Sequence, residues 1–319
     1  MDVIPSSLHA RITRTAISPR LATKTCESTT HVVAEHGKRE PVGSWGSLAQ
    51  TDGMDVSNVG RGRFTRVDHV EQTGSTNVDL IESAKADPTT PLVLIADEQR
   101  AGRGRRDREW TTPPGGGLLI SFFVPWNTAS TVHIVPTCLG VAAVQAAAEC
   151  GRSVELKWPN DLVDHGDKKL GGMLSSAVVD AGRFAGVVSG LGFNISWPTK
   201  DIAELPDASC LDRMGSEPVD RLELATALVS AFDETLRFVE TNGVDALHDR
   251  YRKNCRTIGQ RVRVECGAGS DLDPEPLVGI ATDIDPSGAL LLDVDGVQHR
   301  IDVGDVIHLR PSPSVAPDE

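Results

Sequence analysis

The chain has 319 residues and a formal charge of -13, with 45 acidic against 32 basic residues. That length accommodates two domains of ordinary size, and the acidic balance speaks against broad nucleic-acid binding, which draws on a basic domain. Cys26, Cys138, Cys150, Cys210, Cys255 and Cys266 form no CxxC or Cys/His pattern, so they fit unpaired thiols in a reducing compartment, and no apolar run is read as reaching the roughly 20 residues of a membrane span.

Residues 1–62 are rich in Ser, Thr, Gly and His, with Trp45 the sole aromatic residue. Such a stretch cannot bury enough apolar surface to offset its ordering entropy, so it is expected to be a disordered extension with no helix-turn-helix. Arg11, Arg14, Arg20 and Lys24 against Asp2 suggest a transit peptide; a true start nearer Met54 is the alternative.

From Phe64 the pattern becomes globular. Thr65 to Glu71 alternates like a strand, and Gly74-Ser75-Thr76-Asn77 leads into a helix over Val78 to Lys85. Thr76 as N-cap with Asp79 at the third helical position reads as a capping box, although a helix start also offers N–H groups to a polar ligand. Leu92 to Ala96 reads as a buried strand that delivers the loop Asp97 to Trp110, DEQRAGRGRRDREW. Arg100, Arg103, Arg105, Arg106 and Arg108 lie on this loop, broken by Gly102 and Gly104. Guanidinium forks match carboxylate and phosphate oxygens two bonds at a time, so an anion is the expected ligand.

A strand over Leu118 to Val124 and a buried helix over His133 to Cys150 follow, then a strand at Val154 to Trp158 that stops in a Pro159-Asn160-Asp161 turn. Leu170 to Val179 and Arg183 to Leu191 flank Asp180-Ala181-Gly182 as a hairpin. Helices over Pro218 to Thr241, with Leu222, Ala225, Val229, Phe232, Leu236 and Val239 on one face, and over Val244 to Asn254 precede short strands from Arg261 onward. Those strands, at Arg261 to Cys266, Pro276 to Ile284, Ala289 to Asp293, Val297 to Val303 and Val306 to Leu309, read as a small β-barrel. The expected organisation is a disordered extension 1–62, a catalytic domain 63–256, a barrel 257–312 and a tail 313–319.

With these pieces in order, the chain resembles the biotin protein ligases. The matching segments are Gly74-Ser75-Thr76-Asn77, Gln99 with Ala101 to Arg106, Lys157-Trp158-Pro159-Asn160-Asp161, Lys169-Leu170-Gly171-Gly172 and Gly190-Leu191-Gly192-Phe193-Asn194. The resemblance implies an α+β fold, a mixed β-sheet flanked by helices of the biotin/lipoate ligase kind that resembles class II aminoacyl-tRNA synthetases, with a C-terminal SH3-like β-barrel. It implies an ATP-dependent ligase in which the biotin carboxylate attacks the α-phosphorus of ATP, giving biotinyl-5′-adenylate. A lysine of a biotin carboxyl carrier domain then takes the biotinyl group.

The same resemblance implies roles for residues. Ser75, Thr76, Asn77, Gln99, Arg103, Gly104, Arg105 and Lys169 would hold biotin. Arg103, Arg105, Arg106, Arg108, Trp110, Lys157, Asn160 and Asn194 would hold ATP or the adenylate, with Trp110 stacked on adenine. Lys169 and Arg105 would be the catalytic residues, because two anions must meet and positive charge set in place beforehand is the main contribution available. Asp161 is a candidate to help deprotonate the target lysine, and Mg²⁺ is expected to arrive with ATP, its protein ligands unassigned. Asp107 and Arg100 depart from the family's commoner glycine and glutamine. The expected protein is a cytoplasmic ligase, monomer or homodimer, acting on a carboxylase's carrier domain without binding DNA or membrane. A lipoate ligase is the rival enzyme, disfavoured by the GRGRR and KWPND segments read with the barrel; a nucleic-acid-binding regulator or a non-catalytic biotin sensor is the rival from another class.

Overall fold

The computed structural model describes residues 54–197, 205–266, 276–302 and 304–309. The expected disorder before residue 54 and the tail 313–319 lie outside the described residues. Residues 54–62, expected to be disordered, are packed: Val59 is fully buried and Arg61 pairs with Phe64 in a β-bridge. Their few apolar side chains serve an existing core rather than forming one, which composition alone does not register.

The larger, mixed-sheet part runs β1 (Val67–Thr73), α1 (Thr76–Ala86), β2 (Leu92–Gln99), β3 (Gly117–Pro125), α2 (Ile134–Glu149), β4 (Glu155–Lys157), β5 (Asp161–Val163), β6 (Lys169–Asp180), β7 (Arg183–Asn194), α3 (Arg221–Asn242) and α4 (Val244–Asn254). Its strands form one mixed sheet in the order β1-β2-β3-β7-β6-β5-β4, with β1 parallel to β2 and the other pairs antiparallel. Side chains alternate across β2: Val93 and Ile95 join the core shared with α2 and α3, while Leu92 and Leu94 join Leu80 and Ala84 of α1. A strand buried on both faces must read as a continuous apolar run, and this one does.

Phe64, Phe122 of β3 and Phe232 of α3 close the larger core, their ring centroids 4.8 to 5.4 Å apart. Such aromatic pairs contribute about 0.5–1.5 kcal/mol each beyond their burial. Helix α3 starts on Asp220, whose carboxylate accepts from the Glu223 amide at 2.8 Å. Contrary to the sequence reading, the segment Ala129–Glu149 is long and apolar enough to cross a membrane. Over half of it is buried, however, and α2 packs against α3 as a core helix.

Two local expectations are corrected. Helix α1 begins at Thr76 with Ser75 as its N-cap, and no side chain caps it. Asp161 opens the short strand β5 instead of closing a turn; a three-residue strand is too short to show a period.

The C-terminal strands β8 (Arg261–Cys266), β9 (Leu277–Ile284), β10 (Leu290–Val294), β11 (Val297–Ile301) and β12 (Gly304–His308) form an antiparallel sheet ordered β11-β10-β9-β8-β12. The domain is consistent with an SH3-like architecture, but the barrel is not closed among the described residues. The Gly304 carbonyl on edge strand β12 accepts from Arg105 at 3.2 Å, so this edge faces the arginine loop.

Candidate active site

One cleft of about 320 Å³ lies between the end of β2, the starts of α1 and β6, the middle of β7 and the edge of β12. Its polar end is built from Thr76 and Gln99. The Gln99 Oε1 accepts from the Thr76 amide at 2.8 Å and from its hydroxyl at 2.9 Å. The hydroxyl expected to cap the helix is therefore spent across the sheet, and the Asp79 carboxylate accepts from the Thr73 hydroxyl. Asn77 spans from the Leu174 carbonyl, to which its Nδ2 donates at 2.8 Å, to the Ser121 hydroxyl at 2.6 Å. Ser75 also lines this end.

Lys169 lines the same cleft. The start of β6 is fixed on both sides by backbone, since the Lys169 amide donates to the Asp207 carbonyl at 2.7 Å and its carbonyl accepts from Ser209 at 2.8 Å. Its ammonium is 2.6 Å from the Asp161 carboxylate and 5.6 Å from the centroid of Trp110. The indole of Trp110 lies on β7 so closely that a β-carbon at Gly192 would run into its ring, with indole Cζ2 only 2.8 Å away. The Trp110 Nε1 is buried without a hydrogen-bond partner among the described residues.

The arginine loop folds back on itself, Trp110 donating to the Gly102 carbonyl at 2.9 Å and Gly104 to that of Arg108 at 2.6 Å. Arg103, Gly104, Arg105 and Arg108 line the cleft. Burial lowers the pKa of the Arg105 guanidinium, Asp305 opposing and Arg106 reinforcing that effect; the group stays charged at any relevant pH. Arg105 also approaches the Asn160 Oδ1 at 3.4 Å, while the Asn160 amide donates to the Met173 carbonyl at 2.6 Å. Among the described residues no three His, Cys, Asp or Glu side chains gather as a metal site.

Three of the expected site residues are not brought to the cleft lining. Lys157 turns away, its ammonium 2.9 Å from the Asp167 carboxylate. Asp167 also meets His308 of β12 at 2.9 Å. Burial and the nearby Lys157 depress the His308 imidazole to about 4 against the pull of Asp167, so this seam between the domains holds a neutral histidine at pH 7. Arg106 reaches the Glu265 carbonyl at 3.0 Å. Asn194 donates to the Ser209 carbonyl at 3.1 Å, which leaves its buried Oδ1 as an acceptor without a partner among the described residues. The side chain of Asp107 lies outside the described residues.

Comparison with known proteins fits this cleft. The model of the biotin/lipoate A/B protein ligase family matches residues 68–194, and that of the biotin protein ligase C terminal domain matches residues 257–309. The biotin–[acetyl-CoA-carboxylase] ligase of Mycobacterium tuberculosis is 36% identical over 259 residues, 77% of this chain and 90% of that protein. The chain belongs to the biotin protein ligase family. Another relative, the bifunctional ligase/repressor BirA of Escherichia coli, is 31% identical over 205 residues, 64% of this chain and 62% of its own. The biotin protein ligase from Aquifex aeolicus in complex with biotin and ATP has the same fold, with a TM-score of 0.62 at 23% identity, covering 78% of this chain and 100% of that one.

Within this ligase fold, Ser121 is a residue that sequence reasoning missed. It is fully buried on β3, and its hydroxyl is 2.7 Å from that of Thr76 as well as 2.6 Å from the Asn77 Oδ1. A hydroxyl carries one proton, so it donates to one of the two at a time. Ser121→Ala is expected to lower stability by about 1–2 kcal/mol and to raise the KM for biotin several-fold, because a buried polar group loses its partner. Urea unfolding and steady-state kinetics measure both; unchanged biotin kinetics would show that Ser121 does not shape the polar end.

Proposed function

We propose that this chain activates biotin with MgATP as biotinyl-5′-adenylate and transfers the biotinyl group to one lysine of a biotin carboxyl carrier domain. The observation that carries this reading is that one cleft is lined by the hydrogen-bonding groups of Thr76 and Gln99, by Lys169 and by Arg103, Arg105 and Arg108. The ureido ring of biotin needs buried donors and acceptors, because leaving one unpaired costs about 1–3 kcal/mol. Ser75, Thr76, Asn77 and Gln99 supply them, with Arg103 and Gly104 closing over the ring.

In the first step a biotin carboxylate oxygen forms a bond to the α-phosphorus while the bond to the leaving pyrophosphate breaks. Lys169 offsets the charge of carboxylate and α-phosphate, and Arg105 and Arg108 hold the phosphates. Trp110, whose indole lies against Gly192 of β7, takes the adenine. In the second step the target amine attacks the acyl carbon and AMP leaves. That amine, with a free pKa near 10.4, must first lose a proton, and Asp161 accepts it once Lys169 has moved to the phosphate. Under this reading the reaction is a cytoplasmic one.

Exchange of labelled pyrophosphate into ATP tests the first step. Exchange is expected with biotin and not with lipoate; its absence with biotin would overturn the assignment, and exchange with lipoate would move the activity to the sister enzymes.

A further inference from the structure

The C-terminal sheet contributes one carboxylate to the arginine loop, and three guanidiniums share it. Asp305, on β12, lies 3.8 Å from Arg105 and 3.2 Å from Arg106, and its Oδ2 also pairs with Arg108. Arg106 and Arg108 both disfavour the charge on Arg105, which burial already penalises, and Asp305 is the leading opposing group. Three cations within four residues repel one another, so a loop in this shape needs an anion to hold it before any phosphate arrives. The carboxylate is itself held in place. His308, further along the same strand, is tied through Asp167 to Lys157 of β4, and Arg105 donates to the Gly304 carbonyl beside it.

Asp305 meets three guanidiniums with one carboxylate, while Asp161 also favours the charge on Arg105 and Glu109 and Glu265 line the same cleft. Arg105 and Arg108 each meet Asp305 through a single terminal nitrogen, and a guanidinium carries five N–H donors, so phosphate oxygens can be bound while the loop stays latched. The hydrogen bonds between Thr76 and Gln99 join α1 to the end of β2 and do not pass through Asp305. We propose that Asp305 is a positioning residue: it gathers Arg105, Arg106 and Arg108 over the cleft in the ligand-free protein, so that the C-terminal domain acts on the capture of ATP more than on that of biotin. This rests on the ligase reading for its kinetic part alone.

The test compares wild type, Asp305→Asn and Asp305→Glu in the full chain. Trypsin cleavage within Arg103 to Arg108 is followed without ligands, and KM values for MgATP and biotin are taken from pyrophosphate exchange. Asp305→Asn is expected to speed cleavage about tenfold and to raise the KM for MgATP about tenfold, with a clearly smaller rise in the KM for biotin and the Tm nearly unchanged. Asp305→Glu, which keeps the charge, is expected to recover most of both effects. Unchanged cleavage, or a lower KM for MgATP in Asp305→Asn, would overturn the proposal by making Asp305 inert or a competitor of phosphate. Equal rises for both substrates together with a lower Tm would reduce it to a purely structural contact. Absence of exchange in the wild type would sink the ligase reading, yet the cleavage comparison would still decide what Asp305 does to the loop.

Discussion

Lys169→Ala is expected to reduce biotin-dependent pyrophosphate exchange by about 100- to 1000-fold, the range for removing one preorganised charge from a developing anion. The wild-type ammonium is positioned by its backbone, which is fixed on both sides by the 207–209 segment, and by the Asp161 carboxylate 2.6 Å away. Two effects then add in the alanine variant. The attacking carboxylate and the α-phosphate lose their counter-charge, and Asp161 is left unpaired in the cleft, where it repels both substrates. The second effect can be isolated: Lys169→Ala with Asp161→Asn should recover part of the exchange, because the residual repulsion is gone. Lys169→Arg keeps the charge but spreads it over a planar fork, so an intermediate loss is expected. Biotin-dependent exchange in Lys169→Ala within tenfold of wild type would remove this residue from the chemistry.

The sequence pattern made the central elements legible and left the connections between them dark. β2 and β3 could be read because burial on both faces forces an uninterrupted apolar run, and α3 because its apolar face recurs every three or four residues. The arginine loop could be read as a candidate anion site from composition alone. Ser121 was not, since a lone serine inside Leu118 to Val124 reads as a tolerated interruption; alternation on β3 places it under the start of α1, facing Thr76 and Asn77. Lys157 shows the opposite failure. Its motif pointed to the adenylate, but Glu155 and Lys157 share one side of β4 and both meet charges away from the cleft, Arg256 and Asp167. Asp305 lies about 200 residues from the arginines it gathers, and a pairing at that separation has no local signature. The strap at 207–210, which holds the backbone of Lys169 and the amide of Asn194, makes its contacts through carbonyl and N–H groups that any residue could supply.

Gly190→Val is expected to raise the KM for biotin by about 100-fold and to lower stability by about 2–3 kcal/mol, the scale of overpacking combined with broken hydrogen bonds. Gly190 sits on β7 directly between its cross-strand partners Ser121 and Leu174. Asn77 lies across it, bonded to the Ser121 hydroxyl on one side and the Leu174 carbonyl on the other. A β-carbon at 190 would stand 2.8 Å from the Asn77 Cγ and closer still to its Oδ1, so the amide cannot keep both partners. Displacing Asn77 moves the first turn of α1, and with it Thr76, whose amide and hydroxyl both depend on Gln99. Arg105, Arg106 and Arg108 are paired with Asp305 rather than with these groups, so the KM for MgATP should rise much less than that for biotin. Gly190→Ala is expected to show the same pattern at reduced size. Adding Asn77→Ala to Gly190→Val separates the two causes: removing the amide relieves the overlap and should restore stability, while biotin binding stays weak because the polar end has lost a member. If the double variant instead recovered biotin binding, Asn77 would be filling space at the cleft and not ordering the groups that hold the ring.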